Sequence, residues 1–467
     1  MTYRLTQTSS HSHELPSARG YPRDTRVDAA RPRTSLSSAF LRLSLFGAAL
    51  TALGLLSGPL QARALGPAGR GDLAAITVVG SFLPIVAGLG LEMFVARETA
   101  RGTPLRDILG TVGIVTVVIA LIIVPLGFPI STWLAHGRST VHFFILIQFL
   151  LLPLSLCGQL MYYALVGLER WSTLMLVRMI PIVGPAIVII VLYVTHSMTI
   201  IAVAAATSIA ALIALVPASR VVPRLTTLRI RLPLLRSAFP FSLYTWLGTL
   251  AVMTNGRIDQ LIMVGVTSSR QLGLYAVAVT ATLPATQIIS GVGSPLLSRI
   301  AAGERHLVRQ TLRTTVLIVI ALDICVAGVT PFALPFLFGN AFREAIPMAL
   351  ILLVAVVPFS ATFVLTSAMV ADGHPSVPAI GEAMTLFVTI PGLIVFVPSL
   401  GGIGAAAVSL VAYSVDAGYQ IRAGRRNFGG HLREYVIPGK DDAIWVWQRL
   451  LSMVTLLLRR VGEHVHK

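Results

Sequence analysis

ILGTVGIVTVVIALIIVPLGFP, residues 108–129, runs for twenty-two residues without a charged side chain. A helix of that length rises roughly 30 Å, the depth of a bilayer's hydrocarbon core, and satisfies its own backbone groups as it crosses. Comparable runs lie near 40–62, 73–95, 143–166, 174–194, 199–217, 239–265, 272–295, 312–336, 346–370, 377–398 and 402–421. Numbered in chain order with 108–129 as span 3, they predict an all-α integral membrane protein of about twelve transmembrane helices. Composition agrees, because 55% apolar against 12% charged residues leaves too few charges to coat a water-soluble surface over 467 residues.

The formal charge of +17 would suggest nucleic acid in a soluble chain. Here the arginines lie in tails and short loops, so topology explains them and no nucleic-acid partner is expected. Arg97, Arg101, Arg106, Arg170, the 218–238 loop, Arg299, Arg305, Arg309 and Arg313 share a side with the arginine-rich N-terminal tail. Only Arg63, Arg70, Arg138, Arg270 and Arg343 fall opposite. The positive-inside rule then puts both termini in the cytoplasm and makes the protein a multi-pass component of the cell membrane. Cys157 and Cys325 both fall within apolar runs, and His11-x-His13 lies in a polar tail, so neither a disulfide nor a metal site is read.

Residues 1–39, rich in Ser, Arg, Pro and His, read as a disordered cytoplasmic tail. The basic stretch 218–238 separates two sets of six spans, 40–217 and 239–421. Beyond them, 422–467 forms a second cytoplasmic tail, in which Gln448, Ser452, Thr455 and Arg459 share one face of an amphipathic segment, 444–461. That segment is expected to lie in the membrane interface, a thirteenth span being the alternative.

The two halves carry traces of one pattern. Gly71-Asp72-Leu73-Ala74-Ala75 opens span 2 and Gly273-Leu274-Tyr275-Ala276-Val277 opens span 8, with Pro84 and Pro284 following. Ala164-Leu165-Val166 closes span 4, and Ala368-Met369-Val370 closes span 10, each before a polar turn. Six spans per half make the repeats parallel, related by an axis along the membrane normal.

The segment Ala64–Arg101, above all its Leu-Gly-Pro-x-Gly-x-Gly turn, resembles the start of polysaccharide flippases of the multidrug/oligosaccharidyl-lipid/polysaccharide exporter superfamily. Arg257-Ile258-Asp259-Gln260, then Leu272-Gly273-Leu274-Tyr275-Ala276, Phe338-Gly339 and Gly402-x-Gly404-Ala405-Ala406 also fit that family. The resemblance spans roughly residues 40 to 421. It implies two six-helix lobes around a central cavity that opens alternately to either side. The implied cargo is a polyprenyl-linked oligosaccharide, exported for cell-surface polysaccharide synthesis.

Charged groups deep in a membrane are costly, so each is a candidate for function. Arg257 and Asp259 in span 7 are two residues apart and point about 200° from each other, so only one can face a cavity. Arg257 is expected there beside Asn255, its guanidinium fork suited to pyrophosphate oxygens. Asp259 would balance it or take up a coupling proton or sodium ion; the alternative is an ion pair that holds spans 7 and 8 or a neighbour together. Arg178 and Glu382 each lie fourteen residues past the matched Ala164 and Ala368, so they are equivalent positions of opposite charge and form a candidate gate, or a static bridge between lobes. Asp323 and Asp416 are either coupling sites or neutral buried acids. Gln159, Tyr162 and Gln287 could line a sugar path or simply join helices. Glu92 is expected to pair with Arg97 at the membrane interface. Pro84, Pro181, Pro185, Pro284 and Pro391 interrupt backbone ladders and permit bending.

No catalytic residue, metal or organic cofactor is expected. A membrane glycosyltransferase or polymerase would need larger hydrophilic loops, and no Walker A sequence is present. A multidrug or small-cation antiporter of the same superfamily is the main alternative, but cationic cargo calls for acidic cavity groups, whereas Arg178 and Arg257 favour an anion. The expected state is a monomer in contact with membrane lipids, with glycan-assembly proteins as candidate partners.

Overall fold

The computed structural model describes residues 36–220 and 228–436. Most of the N-terminal tail and the whole amphipathic segment 444–461 therefore lie outside the described residues. The chain divides into two units, Met1–Phe46 and Gly47–Lys467. The first contributes the start of a helix that begins at Leu36, and everything below belongs to the second.

Every regular element among the described residues is helical. Among the described residues, seven helices are long and apolar enough to cross a membrane, or nine when two bent pairs each count as one span. Two of the seven are double. The helix Leu36–Gly88 changes direction at Gly66 (φ 66°), where span 1 meets span 2. Likewise Ser376–Phe428 turns at Gly401 (φ 56°), where span 11 meets span 12. Span 7, Leu232–Val266, falls short of the apolar threshold because it carries Arg257, Asp259 and a row of hydroxyls. The helical segments thus fall where the hydropathy placed them.

Five long-range ion pairs each join positions assigned to the same side. Arg138 meets Asp72 and Arg270 meets Glu344 at one end, here called the far end. Arg231 with Asp107, Arg305 with Asp372 and Arg309 with Glu434 lie at the other, the basic end.

Spans 4 and 10, matched in the sequence, end on the same kind of backbone turn. After span 4, Arg170 N–H donates to Leu165 O (3.0 Å) and Glu169 N–H to Val166 O (3.0 Å). After span 10, His374 N–H donates to Met369 O (2.8 Å) and Gly373 N–H to Val370 O (3.2 Å). Both are Schellman caps, which need a left-handed residue just past the helix. Glycine supplies it at 373 (φ 84°), whereas Glu169 adopts it at φ 54° despite its Cβ. Glu169→Gly should therefore raise stability by about 1 kcal/mol, read as a higher unfolding midpoint in detergent, while Gly373→Glu should lower it.

The two second spans of the repeat also meet. A Cβ on Gly71 would collide with the Ser269 carbonyl and approach the Gly273 amide, and one on Gly273 would collide with the Pro67 carbonyl. Only glycine at both positions lets the two helix starts approach backbone to backbone. Around them sits a core of Ala74, Ala75, Leu272, Tyr275, Ala276 and Met348.

Candidate functional site

Span 2 is not continuous. It stops at Gly88 and resumes at Leu91, with Leu89 (φ 48°) and Gly90 (φ 71°) both left-handed. The break leaves the Ile85 carbonyl without its partner four residues on, and Trp246 of span 7 fills the place, its Nε1–H donating at 2.8 Å. A Cβ on Gly90 would run into Ser242 O and Thr245 Oγ1, so this glycine also lets span 7 lie against the break. One turn deeper toward the basic end, Phe241 stacks beneath the Arg97 guanidinium at 4.5 Å and faces the Phe94 ring. The first half of span 7 is thereby fastened to the N-terminal lobe. Its second half, with Met263 and Val264, enters the core that residues of both halves share around the starts of spans 2 and 8.

This course orients the span 7 charges. Arg257 follows Trp246 by eleven residues, about three helical turns, and so lies on the same face, the one turned to span 2. It is exposed, with no ion pair among the described residues. Asp259 turns the opposite way, into the C-terminal lobe. There it accepts from the Tyr275 hydroxyl and from Gln260 N–H at 2.7 Å. Tyr413 and Ser409 of span 12 stand beside the same pair, and Tyr413 lies in the field of both Asp259 and Glu382. The Asn255 side chain lies outside the described residues.

A second cluster forms in the N-terminal lobe. Glu92 is only 8% exposed, and it points back across the break toward Gly88 and Gln159. Tyr163, stacked edge-on with Tyr162 at 5.4 Å, feels both Glu92 and Arg178. Arg178 lies one turn beyond buried Leu174 on span 5, away from the exposed Leu176, and keeps its own head exposed. These contacts overturn one expectation: Glu92 does not pair with Arg97, which Phe241 holds instead. Arg178 and Glu382 stand in different halves of the chain. Each lies beside a tyrosine of its own lobe.

The remaining acids behave differently from one another. Asp416 accepts from Gln420 Nε2 at 3.0 Å, and Gln420 in turn accepts from Thr366 at 3.1 Å, a chain that fits against Gly381 of span 11. It serves helix packing. Asp323 is 6% exposed, and neither of its carboxylate oxygens has a hydrogen-bond partner among the described residues. Gln287 is exposed on the side of span 8 opposite buried Ala285 and Ile289.

The far end is closed by contacts between the lobes. Arg138, ahead of span 4, donates to Asp72 (2.8 Å) and to Ser269 at the start of span 8, and Ser269 also donates to Asp72 (2.6 Å). Arg63, leaving span 1, donates to the Leu337 carbonyl (2.8 Å) and to that of Phe336 at the exposed C-terminus of span 9. Cations at a helix C-terminus satisfy orphan carbonyls and the dipole together. Away from this seam, Arg178 on span 5 and Arg257 on span 7 are both exposed.

Tyr275, Tyr413 and Trp246 escaped sequence reading as site residues, although Tyr275 stands within a quoted motif. The paired glycines of Gly88-Leu89-Gly90 were the available signal for the break.

The described residues thus build an all-helical, two-lobed membrane protein. A profile of polysaccharide biosynthesis proteins matches residues 60–347, and the chain belongs to that family. Among solved structures, it is similar to the lipid II flippase MurJ in an inward closed conformation (TM-score 0.68, 14% identity, covering 88% of this chain and 93% of that one). It is also similar to an inward-facing multidrug resistance MATE transporter of the MOP superfamily (0.62, 15%, covering 85% and 99%). A third is a MOP superfamily transporter from Pyrococcus furiosus described as having a binding pocket of reversed polarity (0.51, 16%, covering 84% and 95%). These likenesses establish the fold. No curated protein sequence matches the chain.

Proposed function

We propose that this protein is a flippase that moves a polyprenyl-pyrophosphate-linked oligosaccharide across the cytoplasmic membrane by alternating access. One observation supports the reading: Arg257 is exposed and falls, by helical spacing, on the same side of span 7 as Trp246, which reaches into the break in span 2. Membership of the polysaccharide biosynthesis family supports a glycan-bearing cargo. The cargo enters at the basic end, taken as cytoplasmic, and its pyrophosphate bridges Arg257 and Arg178 while Gln159, Tyr162 and Gln287 face the sugars. Asp259, held by Tyr275 and Gln260, is the site at which a proton or sodium ion couples to lobe movement, with Glu382 beside Tyr413 as its neighbour. Asp323 is a second candidate for that ion.

The test is transport of a labelled polyprenyl-pyrophosphate oligosaccharide in proteoliposomes, scored by access of an external glycan-cleaving enzyme. Wild-type protein should expose the sugar in a time-dependent way. If protein-free vesicles do so equally fast, while a lipophilic cation moves only with protein present, the antiporter reading replaces this one.

A further inference from the structure

Between spans 3 and 4, in the half of the membrane nearer the basic end, the surface opens into an apolar groove of about 450 Å³. Leu109, Gly113, Val117, Cys157 and Met161 line its walls, and Ile230 of the interlobe linker closes its basic end together with Leu228. Gly113 makes the depression: a Cβ there would meet nothing within 4 Å. Ile114 and Val118 on the rim are each 49% exposed, as expected of a lipid-facing surface.

The linker is held over this groove by span 3. Arg229 N–H donates to Arg106 O (3.1 Å), Arg231 N–H to Thr111 Oγ1 (2.9 Å), and the Arg231 guanidinium meets the fully buried Asp107 carboxylate at 3.0 Å. Gly110 admits the Arg229 backbone, since a Cβ there would fall within 2.8 Å of its nitrogen. Asp107 therefore answers Arg231, its shorter ion pair, and touches Arg106 only at 3.8 Å. Two exposed arginines flank this end along the chain: Arg106, one turn before the groove wall, and Arg229, between Leu228 and Ile230.

An apolar trough ending beneath two cations matches the shape of one lipid class. We infer that this groove is a specific site for an anionic phospholipid of the surrounding bilayer, with an acyl chain between spans 3 and 4 and the phosphate against Arg106 and Arg229. The site is separate from the interlobe arginines and does not depend on the cargo. A lipid seated there ties the linker to span 3, and hence the junction between the lobes to the charge of the leaflet. A neutral or zwitterionic lipid would fill the trough equally well but leave the guanidiniums without a net counter-charge.

The experiment is native mass spectrometry of the full-length protein released from nanodiscs containing equal phosphatidylglycerol and phosphatidylcholine, scored by which lipid stays bound. Wild-type protein should retain phosphatidylglycerol preferentially. Arg106→Gln and Arg229→Gln should each reduce that preference roughly fivefold and leave total retained lipid unchanged. Gly113→Phe, which projects into open space rather than into a neighbouring helix, should reduce retention of both lipids while the protein stays folded by thermal unfolding. Equal retention of the two lipids by wild-type protein, or selectivity unaltered in the arginine variants, would overturn the assignment. So would displacement of the bound phospholipid by stoichiometric polyprenyl phosphate, which would make the groove part of the cargo path.

Discussion

Gly71→Leu should abolish closure of the far end and reduce transport by one to two orders of magnitude. A leucine Cβ at this position falls onto the Ser269 carbonyl and the Gly273 amide, backbone atoms that cannot rotate away. The starts of spans 2 and 8 must then separate. Overpacking of this kind costs roughly 1–3 kcal/mol, and it acts only on the state in which the lobes touch here. A bias of that size shifts a two-state equilibrium by about 5- to 150-fold. The separation also pulls Arg138 away from Ser269 and Asp72. Nitroxide labels at Ser197 and Arg343, in a background with Cys157 and Cys325 replaced by serine, should report a longer interlobe distance in the variant. An unchanged distance together with wild-type transport would mean that this seam is not part of the transport cycle.

The second large effect concerns the interlobe arginines. Arg257→Ala removes a charged donor from the face that span 7 turns to span 2, and Arg178→Ala removes one from span 5. A hydrogen bond to a charged partner contributes about 1.5–3 kcal/mol, so each variant should lose roughly ten- to a hundredfold in transport of a pyrophosphate-linked substrate. Arg257→Lys should recover only part of it, because an ammonium keeps the charge without the planar fork. Asp259→Asn gives a contrasting result. It leaves the interlobe arginine in place but alters the acceptor for Tyr275 and Gln260, so substrate binding should persist while dependence on the coupling ion is lost. Ion-flux and substrate-binding measurements on the same preparation separate the two.

Much of the scaffold was legible because its determinants are local. Runs of about twenty apolar residues require helices in lipid, and arginine-bearing loops sort into two sides. The repeat could be read from Gly71 and Gly273 and from Ala164 and Ala368, since close helix approach and a left-handed cap each demand a particular residue type.

What escaped reading depends on partners distant in sequence. The break in span 2 passes for an apolar helix because Leu89 is apolar, and it persists because Trp246, far along the chain, takes up the freed carbonyl. Glu92 and Arg97 have a spacing that suggests a local pair, yet Phe241 captures the arginine and leaves the carboxylate to Gln159 and Tyr163. Arg178 and Glu382, equivalent in the repeat, carry opposite charges but belong to different lobes. Sequence spacing gives their equivalence in the repeat but not their distance in space.

Equilibrium binding of a polyprenyl pyrophosphate to purified protein tests the anionic interlobe site most directly, measured for wild type and for the Arg178→Ala, Arg257→Ala double variant. Wild-type protein should bind the pyrophosphate far more tightly than the matching uncharged polyprenol, and the double variant should bind both with similar, weak affinity. Equal affinity of wild type for the charged and uncharged lipids would contradict a pyrophosphate held between Arg178 and Arg257.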